Sequence, residues 1–155
     1  MTVHTGAGVT IGLSATAPAT YNAAGYEAVV LTDIGEISDF GEIPDRIYEI
    51  ITWRRAGARG ESKYKGGYAL GSQTLTVGID PEDAGQALLD VAKNSDALYT
   101  VGIKHPMLGA IYARALVTAG PKNYGDVNTP GTRQITLEYT VVSETEDGLV
   151  VVAPD

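Results

Sequence analysis

The chain has 155 residues, no cysteine and a formal net charge of -8 at pH 7. A chain of this length forms one domain whose folding buries roughly 70% of the unfolded surface, so we expect a single domain over residues 1–155. The missing cysteines exclude disulfide scaffolds, thiolate zinc sites and cysteine nucleophiles. The excess of acid disfavours tight binding to nucleic acid, because such binding needs lysine and arginine to neutralise phosphates.

Neither end of the sequence carries a recognisable targeting or membrane segment. Met1–Thr10 contains no lysine, no arginine and no apolar run, so it is not expected to be a signal peptide. The longest apolar run, Leu149–Ala153, is too short to cross a bilayer. We therefore expect a soluble protein that is made in the cytoplasm.

Alternation with a period of two residues predicts that most of the chain is β-structure. Strands are predicted at Val9–Ser14, Glu27–Ser38, Arg46–Trp53, Ser72–Ile79, Leu98–Lys104, Ala110–Thr118 and Arg133–Val141. The strands form no βαβ series, which favours antiparallel pairing. The predicted fold class is mainly β, a β-sandwich or curled antiparallel sheets with one packed α-helix at about residues 81–94. Residues 144–155 are predicted to form a C-terminal arm or an edge strand.

The acidic segment, Leu31–Ile43, looks at first like a carboxylate cluster. Its four acidic residues are Asp33, Glu36, Asp39 and Glu42. On a strand, an odd spacing places neighbouring carboxylates on opposite faces, and about 20 Å of extended chain separates the two that share a face. A catalytic pair is therefore disfavoured, and the spacing does not match a calcium loop. Weak cation binding and a contact surface for another subunit both remain open.

The next unusual stretch, residues 54–67, holds five of the eleven basic residues and four glycines. It shows no apolar periodicity, so an extended basic loop is predicted. The residues proposed to make contacts there are Arg54, Arg55, Arg59, Glu61, Lys63 and Lys65. Interleaved aromatic residues are limited to Tyr64 and Tyr68, which argues against nucleic-acid binding. The loop is either solvated or folds against the acidic segment of a like subunit.

The predicted helix has clear start and stop signals. Asp80 is expected to be the N-cap and Pro81 the first helical residue, with two acidic residues following in the first turn. The helix is expected to end at Asn94. An apolar stripe at helical spacing is formed by Ala84, Ala87, Leu88, Val91 and Ala92.

The remaining motifs provide no catalytic or cofactor site. His4 and His105 are the only histidines, and neither has the spacing of a zinc ligand pair. No nucleophile elbow anchors a Ser-His-Asp triad. The glycines at 6, 8 and 12 lack the strand–loop–helix context of a dinucleotide site. We therefore expect no catalytic residue, no metal and no cofactor.

Taken in order, these features resemble the major tail tube proteins of long-tailed, non-contractile bacteriophages. The resemblance rests on residues 32–42, the basic loop after the following strand, the helix start at 80–89 and the closing strand at 134–138. It implies a structural protein with no enzymatic activity, a two-sheet β-fold with one helix, and assembly into six-membered rings that stack into a tube for DNA ejection. It also implies a place in the virion tail, assembly in the bacterial host cytoplasm, and contacts with tape-measure and tail terminator or baseplate proteins.

Within that picture, the long basic loop would mediate contacts between subunits and rings. Two polar strand faces are our own candidates for the lumen of the tube, namely Ser72, Thr74, Thr76, Gln134, Thr136, Glu138 and Thr140. A lumen lined by hydroxyl and acidic groups would repel phosphate and let DNA pass without tight binding.

Three alternatives remain at the level of sequence. The first is a related ring-forming inner tube, such as that of a type VI secretion apparatus. The second is a monomeric β-sandwich that binds a ligand or carbohydrate. The third is a small hydrolase that uses the acidic segment, which the strand geometry disfavours.

Overall fold

The computed structural model of the protein describes residues 3–154 and is mostly β-structure. The strands are β1 (Thr10–Ser14), β2 (Thr32–Asp33), β3 (Ile37–Asp39), β4 (Ile47–Trp53), β5 (Ser62–Ala69), β6 (Ser72–Gly78), β7 (Tyr99–His105), β8 (Gly109–Ala119), β9 (Lys122–Asn123), β10 (Thr132–Tyr139) and β11 (Val150–Val152). The helices are α1 (Ala23–Glu27) and α2 (Ala84–Lys93). The prediction of a mainly β fold with a curled antiparallel sheet is confirmed.

A nine-stranded antiparallel sheet forms the body of the molecule. Its main path runs β2-β1-β7-β8-β10-β6-β3, with β11 paired to β8 and β9 paired to β10. The two end strands, β2 and β3, are joined by only three residues, Ile34–Glu36. A link this short spans little more than about 10 Å, so the two ends of the sheet lie close together. The sheet is therefore curled almost into a barrel.

The acidic segment forms this bridge, so the long strand predicted at Glu27–Ser38 is wrong for most of its length. The backbone N–H of Ile34 donates to Ile11 in β1, and the N–H of Gly78 in β6 donates to Glu36. Between these bonds the chain must turn, and Glu36 adopts a φ of 60°, the left-handed region that non-glycine residues rarely occupy. The predicted period-2 alternation cannot continue through such a turn.

The core lies inside the curled sheet and follows the predicted alternation on β6 and β10. Leu75, Val77, Ile135 and Leu137 are almost fully buried, and they pack with core residues of β1, β7 and β8. A polar pair sits among them. The Tyr139 hydroxyl donates to Gln73 Oε1 over 2.6 Å, and Gln73 Nε2 donates to the carbonyl of Phe40. Burial raises the pKa of the Tyr139 phenol, which therefore acts as a neutral donor.

Helix α2 is confirmed, but it begins at Ala84, and Asp83 rather than Asp80 is its N-cap. The Asp83 carboxylate accepts from the N–H of Gln86 over 3.0 Å and from the N–H of Gly35 over 3.1 Å. Asp80 instead closes the preceding turn by accepting from the N–H of Glu82. Asp83 takes the cap position because there it can bind the helix and the acidic segment together.

The helix is also tied to β10 by an ion pair between a buried arginine and a partly exposed aspartate. Arg133, which is 3% exposed, donates from Nη2 to Asp90 Oδ1 over 2.7 Å and from Nη1 to Asp90 Oδ2 over 3.3 Å. The hydrogen bonds from Arg133 lower the pKa of the Asp90 carboxyl. The pair fixes the helix against the sheet because a buried guanidinium needs its countercharge.

The loop between β1 and β2 contains a short helix, α1, that the sequence analysis did not predict. Asn22 caps it by accepting from the N–H of Gly25 over 2.8 Å. Tyr26 on α1 is fully buried, stacks on Tyr112 and donates to the carbonyl of Gly148 over 2.6 Å. This loop therefore covers the outer face of β8, opposite the main core.

A strand forms in part of the predicted basic loop, and another forms in the C-terminal segment, for which an arm or an edge strand was predicted. Residues 62–67 belong to β5, so the extended basic loop predicted at 54–67 is a loop only up to residue 61. Residues 150–152 form β11 on the edge of β8, so the predicted C-terminal arm is held to the sheet at that point. Strand β5 was not predicted because it contains Gly66 and Gly67, and glycine is unusual inside strands.

Candidate subunit interface

Strands β4 and β5 form a two-stranded hairpin that is separate from the main sheet. Their register pairs Ile47 with Ala69 and Trp53 with Ser62, with an irregularity between Tyr48 and Ile50. Every residue of β4 is exposed, and so are all residues of β5 except Gly66. We call residues 47–69 the hairpin. Such a hairpin is marginally stable by itself in water, so it needs a further surface to pack on.

One face of the hairpin is apolar. Residues paired across two strands share a face, so the register places Ile51 and Tyr64 together, with Trp53 next along β4. Trp53 is 61% exposed, Tyr64 58% and Ile51 55%. Exposed aromatic and aliphatic side chains grouped in this way mark an interaction surface.

The opposite face combines aromatic and basic groups with one exposed apolar residue, Ile50. Tyr48 and Tyr68 are cross-strand partners with ring centroids 5.2 Å apart, and Lys65 Nζ lies 5.0 Å from the Tyr48 ring centroid. Lys63 lies further toward the tip on the same face. The two faces thus offer different chemistry to whatever packs on them.

Four of the six predicted contact residues lie at the far end of the hairpin, whereas Lys63 and Lys65 lie along β5. Arg54 Nη2 and Glu61 Oε2 lie 3.2 Å apart across the tip, where both side chains are partly exposed. Within the described residues, Arg55, Arg59, Lys63 and Lys65 form no salt bridge. The structure therefore brings the six predicted residues to one projecting element and leaves most of its positive charge unpaired.

The base of the hairpin is fastened to the body through Asp147. Its Oδ2 accepts from Arg46 Nε over 2.5 Å and from the Tyr68 hydroxyl over 3.2 Å, while Oδ1 accepts from the N–H of Leu149. Burial alone would raise the pKa of the Asp147 carboxyl, but the bond from Arg46 and the other hydrogen bonds outweigh it and lower the pKa. No sequence signal indicated this contact, because its partners lie about a hundred residues apart.

Replacing Asp147 with asparagine removes this charge and is expected to lower the free energy of unfolding by about 1–2 kcal/mol at pH 7. A lowered carboxyl pKa contributes stability above the unfolded value and loses it as pH falls through the folded value. The difference between the wild type and Asp147→Asn should therefore shrink below about pH 4. Urea denaturation at pH 7 and pH 3 measures this stability difference. An equal difference at both pH values would contradict the lowered pKa of the Asp147 carboxyl.

The four carboxylates of the acidic segment are all exposed. Asp33 ends β2, Glu36 occupies the left-handed turn, and the Asp39 carboxylate accepts from the N–H of Gly41 over 2.9 Å. None of the four forms a salt bridge within the described residues. The basic hairpin of the same chain does not neutralise them, so their proposed role as a surface for another subunit stays a prediction.

The seven candidate lumen residues come together on one side of the sheet. Strands β6 and β10 are neighbours, and the register pairs Ser72 with Glu138, Thr74 with Thr136, and Thr76 with Gln134. These six side chains point away from the core, because the alternate residues of both strands are buried. Thr140, partly exposed, continues beyond β10. We call this surface the hydroxyl face, and its role as a lumen stays a prediction.

The described residues contain no group of three or more His, Asp or Glu side chains placed to hold a metal ion. His105 Nδ1 accepts from the N–H groups of Met107 and Leu108, and Nε2 donates to the carbonyl of Thr5. His4 lies beside it, with ring centroids 6.1 Å apart.

Across residues 3–154, no helix has the length and apolar character needed to span a membrane.

The exposed apolar face of the hairpin is the main feature that sequence reasoning missed. The segment at 46–53 alternates, which predicted a strand but did not indicate what either of its faces packs on. Apolar residues on both faces of the strand, such as Ile50 and Ile51, were the available signal that this segment does not have one apolar and one polar face.

The body is a curled antiparallel sheet, and the hairpin is a separate two-stranded sheet with both faces exposed. No protein-family model matches the chain, and no curated protein sequence matches it. Solved structures do match. A chain of the anti-feeding prophage baseplate, determined with six-fold symmetry, has a TM-score of 0.64 at 15% identity, covering 90% of this chain and 93% of the other.

Two further structures are similar over almost their full lengths. A chain in the tail of an empty GTA particle, refined with helical and C6 symmetry, has a TM-score of 0.64 at 11% identity and covers 97% of this chain and 100% of the other. A chain of the anti-feeding prophage tube-terminating cap has a TM-score of 0.60 at 14% identity, with coverages of 92% and 87%. The chain thus has a fold found in subunits of phage-tail-like assemblies.

Proposed function

We propose that the protein is the repeating structural subunit of a phage tail tube, which self-assembles into stacked hexameric rings and forms a conduit for DNA ejection. The observation that carries the proposal is the hairpin, which projects from the body with both faces exposed. An isolated two-stranded hairpin is marginally stable in water, and a second subunit that covers its exposed faces would stabilise it.

Charge segregation supports a head-to-tail arrangement. The hairpin carries four cations that form no salt bridge within the described residues, whereas the acidic segment lies on the body. Contacts between two different surfaces of the same chain generate rings or helical stacks, depending on whether the rotation closes. The six-fold symmetry of two assemblies that contain similar chains supports six subunits in each ring.

The hydroxyl face supports a conduit for DNA. It presents hydroxyl groups, an amide and the Glu138 carboxylate, and none of its seven residues is a cation. Such a lumen would offer phosphate no point of strong attachment, since affinity for nucleic acid comes from lysine and arginine. In this role the subunit would also meet tape-measure, terminator and baseplate proteins in the virion tail after assembly in the host cytoplasm.

The resemblance to anti-feeding prophage subunits favours a second candidate, a ring-forming subunit of an injection or secretion apparatus. Both candidates predict rings, and the cargo in the lumen distinguishes them. The monomeric ligand-binding module predicts no assembly at any concentration.

Negative-stain microscopy and light scattering of concentrated protein test the proposal, and both should show rings or tubes. Reversing the tip charges with Arg54→Glu, Arg55→Glu and Arg59→Glu should abolish assembly and leave the circular dichroism spectrum unchanged, because the tip makes few contacts with the body. Lys104→Glu with Lys122→Glu is the control, since both residues are exposed cations outside the hairpin. Normal tubes from the triple variant would rule out the contact role of the tip.

A further inference from the structure

An apolar pocket opens beside the acidic segment. It has a volume of about 290 Å³, and its apolar lining includes Val9, Phe40, Ile43, Ile103 and Ile111. The residues that follow Phe40 lead directly into β4, so the pocket lies near the base of the hairpin. An open apolar cavity of this kind is suited to receive a large side chain from a partner.

Two exposed carboxylates are close in sequence to lining residues of this pocket, whose lining also includes two histidines. The Asp39 carboxylate accepts from the N–H of Gly41, a lining residue, over 2.9 Å. Glu42 is exposed and lies in the sequence between Gly41 and a second lining residue, Ile43. Neither carboxylate forms a salt bridge within the described residues. The pocket therefore fits an apolar group flanked by positive charge.

The far end of the hairpin has that composition. Trp53, the single tryptophan of the chain, shares an apolar face with Ile51 and Tyr64, and Arg54 and Arg55 follow it directly. Tryptophan and arginine are the residues most often found at the energetic centre of protein interfaces. The tip thus complements the pocket in both polarity and charge.

The tip of a hairpin cannot reach the pocket of its own chain. Strand β4 runs from Ile47 to Trp53, so its tip lies about 20 Å from its base in extended geometry. Trp53 is 61% exposed in the isolated subunit, consistent with this separation. The occupant that the chain itself supplies is therefore the hairpin of a second copy.

We propose that Trp53 of one subunit inserts into the apolar pocket of another, where Arg54 and Arg55 face Asp39 and Glu42. This inference rests on the proposed function and adds the receiving site to it. The tip and the pocket are different surfaces, so each subunit can donate one hairpin and receive another. The contact can therefore repeat from subunit to subunit, because a subunit that has donated its hairpin still has a free pocket.

The single tryptophan gives a direct readout. On assembly, its emission should move to shorter wavelength and its quenching by acrylamide should fall several-fold, because the indole leaves water. Light scattering on the same sample reports assembly independently. Assembly without a change in Trp53 emission or quenching would overturn the docking site while leaving the tube proposal in place.

Cross-linking identifies the receiving surface, and the chain has no native cysteine to interfere. Ser62 is the cross-strand partner of Trp53, and Thr5 lines the pocket. A mixture of Ser62→Cys and Thr5→Cys subunits treated with a short bismaleimide should give a cross-linked heterodimer. Pairing Ser62→Cys with Ala87→Cys, an exposed position on α2, should give none.

The two proposals fail in different ways. A cross-link to Ala87→Cys in place of Thr5→Cys, within assembled tubes, would overturn the pocket assignment alone. Monomers under all protein and salt concentrations, with neither cross-link formed, would overturn the tube proposal together with the docking site.

Discussion

Replacing residues 49–67 with Asn-Gly is expected to abolish assembly completely and to leave a folded monomer. Asn-Gly suits a two-residue turn between paired strands, and Tyr48 and Tyr68 are paired at that point. The shortened chain keeps Arg46, Tyr68 and Asp147, so the contact that fastens the base of the hairpin remains. What it loses is the exposed part of the hairpin and the predicted contact residues.

The stability of the monomer should hardly change, because the removed residues are almost all exposed. We expect the free energy of unfolding to stay within about 1 kcal/mol of the full-length value. Urea denaturation measures stability, and sedimentation velocity measures assembly. The matched control is full-length Tyr124→Ser, which alters an exposed aromatic residue in another loop and should assemble normally. Tubes from the shortened chain would contradict the role of the hairpin.

Replacing Gly85 with alanine is expected to destabilise the monomer by about 2 kcal/mol. A Cβ at this position would lie 2.3 Å from the carbonyl oxygen of Asp33 and 2.7 Å from Ile34 Cα, both backbone atoms. Overpacking of this kind costs about 3 kcal/mol, and the better helix propensity of alanine returns about 1 kcal/mol. The melting temperature should therefore fall by about 4–8 °C.

The same substitution also tests the proposed interface indirectly, through the helix that holds the acidic segment in place. Helix α2 holds the acidic segment through Asp83 and Gln86, and Gly85 sets how closely the two approach. Moving the segment outward should raise the protein concentration needed for assembly. Gly60→Ala is the control for the melting temperature only, because its added Cβ meets no atom within 4 Å but lies in the hairpin tip. Thermal unfolding measures the melting temperature, and light scattering measures the protein concentration needed for assembly. Equal melting temperatures for the two variants would refute the packing argument.

Strand periodicity was sufficient to predict most of the sheet. The alternation at 72–79 and 133–141 separated buried from exposed side chains correctly, because one side of each strand packs on the core. The same rule misled at 46–53, where a strand formed but neither side was buried. A single sequence shows that a strand has an apolar face. It does not show whether the surface that packs on this face belongs to the same chain.

The arrangement of the candidate site was less accessible to sequence reasoning. The residues of the hydroxyl face were predicted individually, but their pairing depends on β6 lying beside β10, which periodicity does not encode. The apolar pocket combines residues from the N-terminal end, β7, β8 and the acidic segment, so it required the complete fold. Asp147 gave no local signal, since Arg46 and Tyr68 lie far from it in the chain.

The strand order also determines when the protein can fold during its synthesis. Strand β1 pairs with β7, so Ile11 cannot meet Ile103 until most of the chain has left the ribosome. At translation rates of about 5–20 residues per second, β1 waits on the order of ten seconds for its partner. Pairing between such distant segments also slows folding itself, to milliseconds or seconds. The apolar residues of β1 are consequently exposed throughout this interval, when chaperones and other nascent chains can reach them.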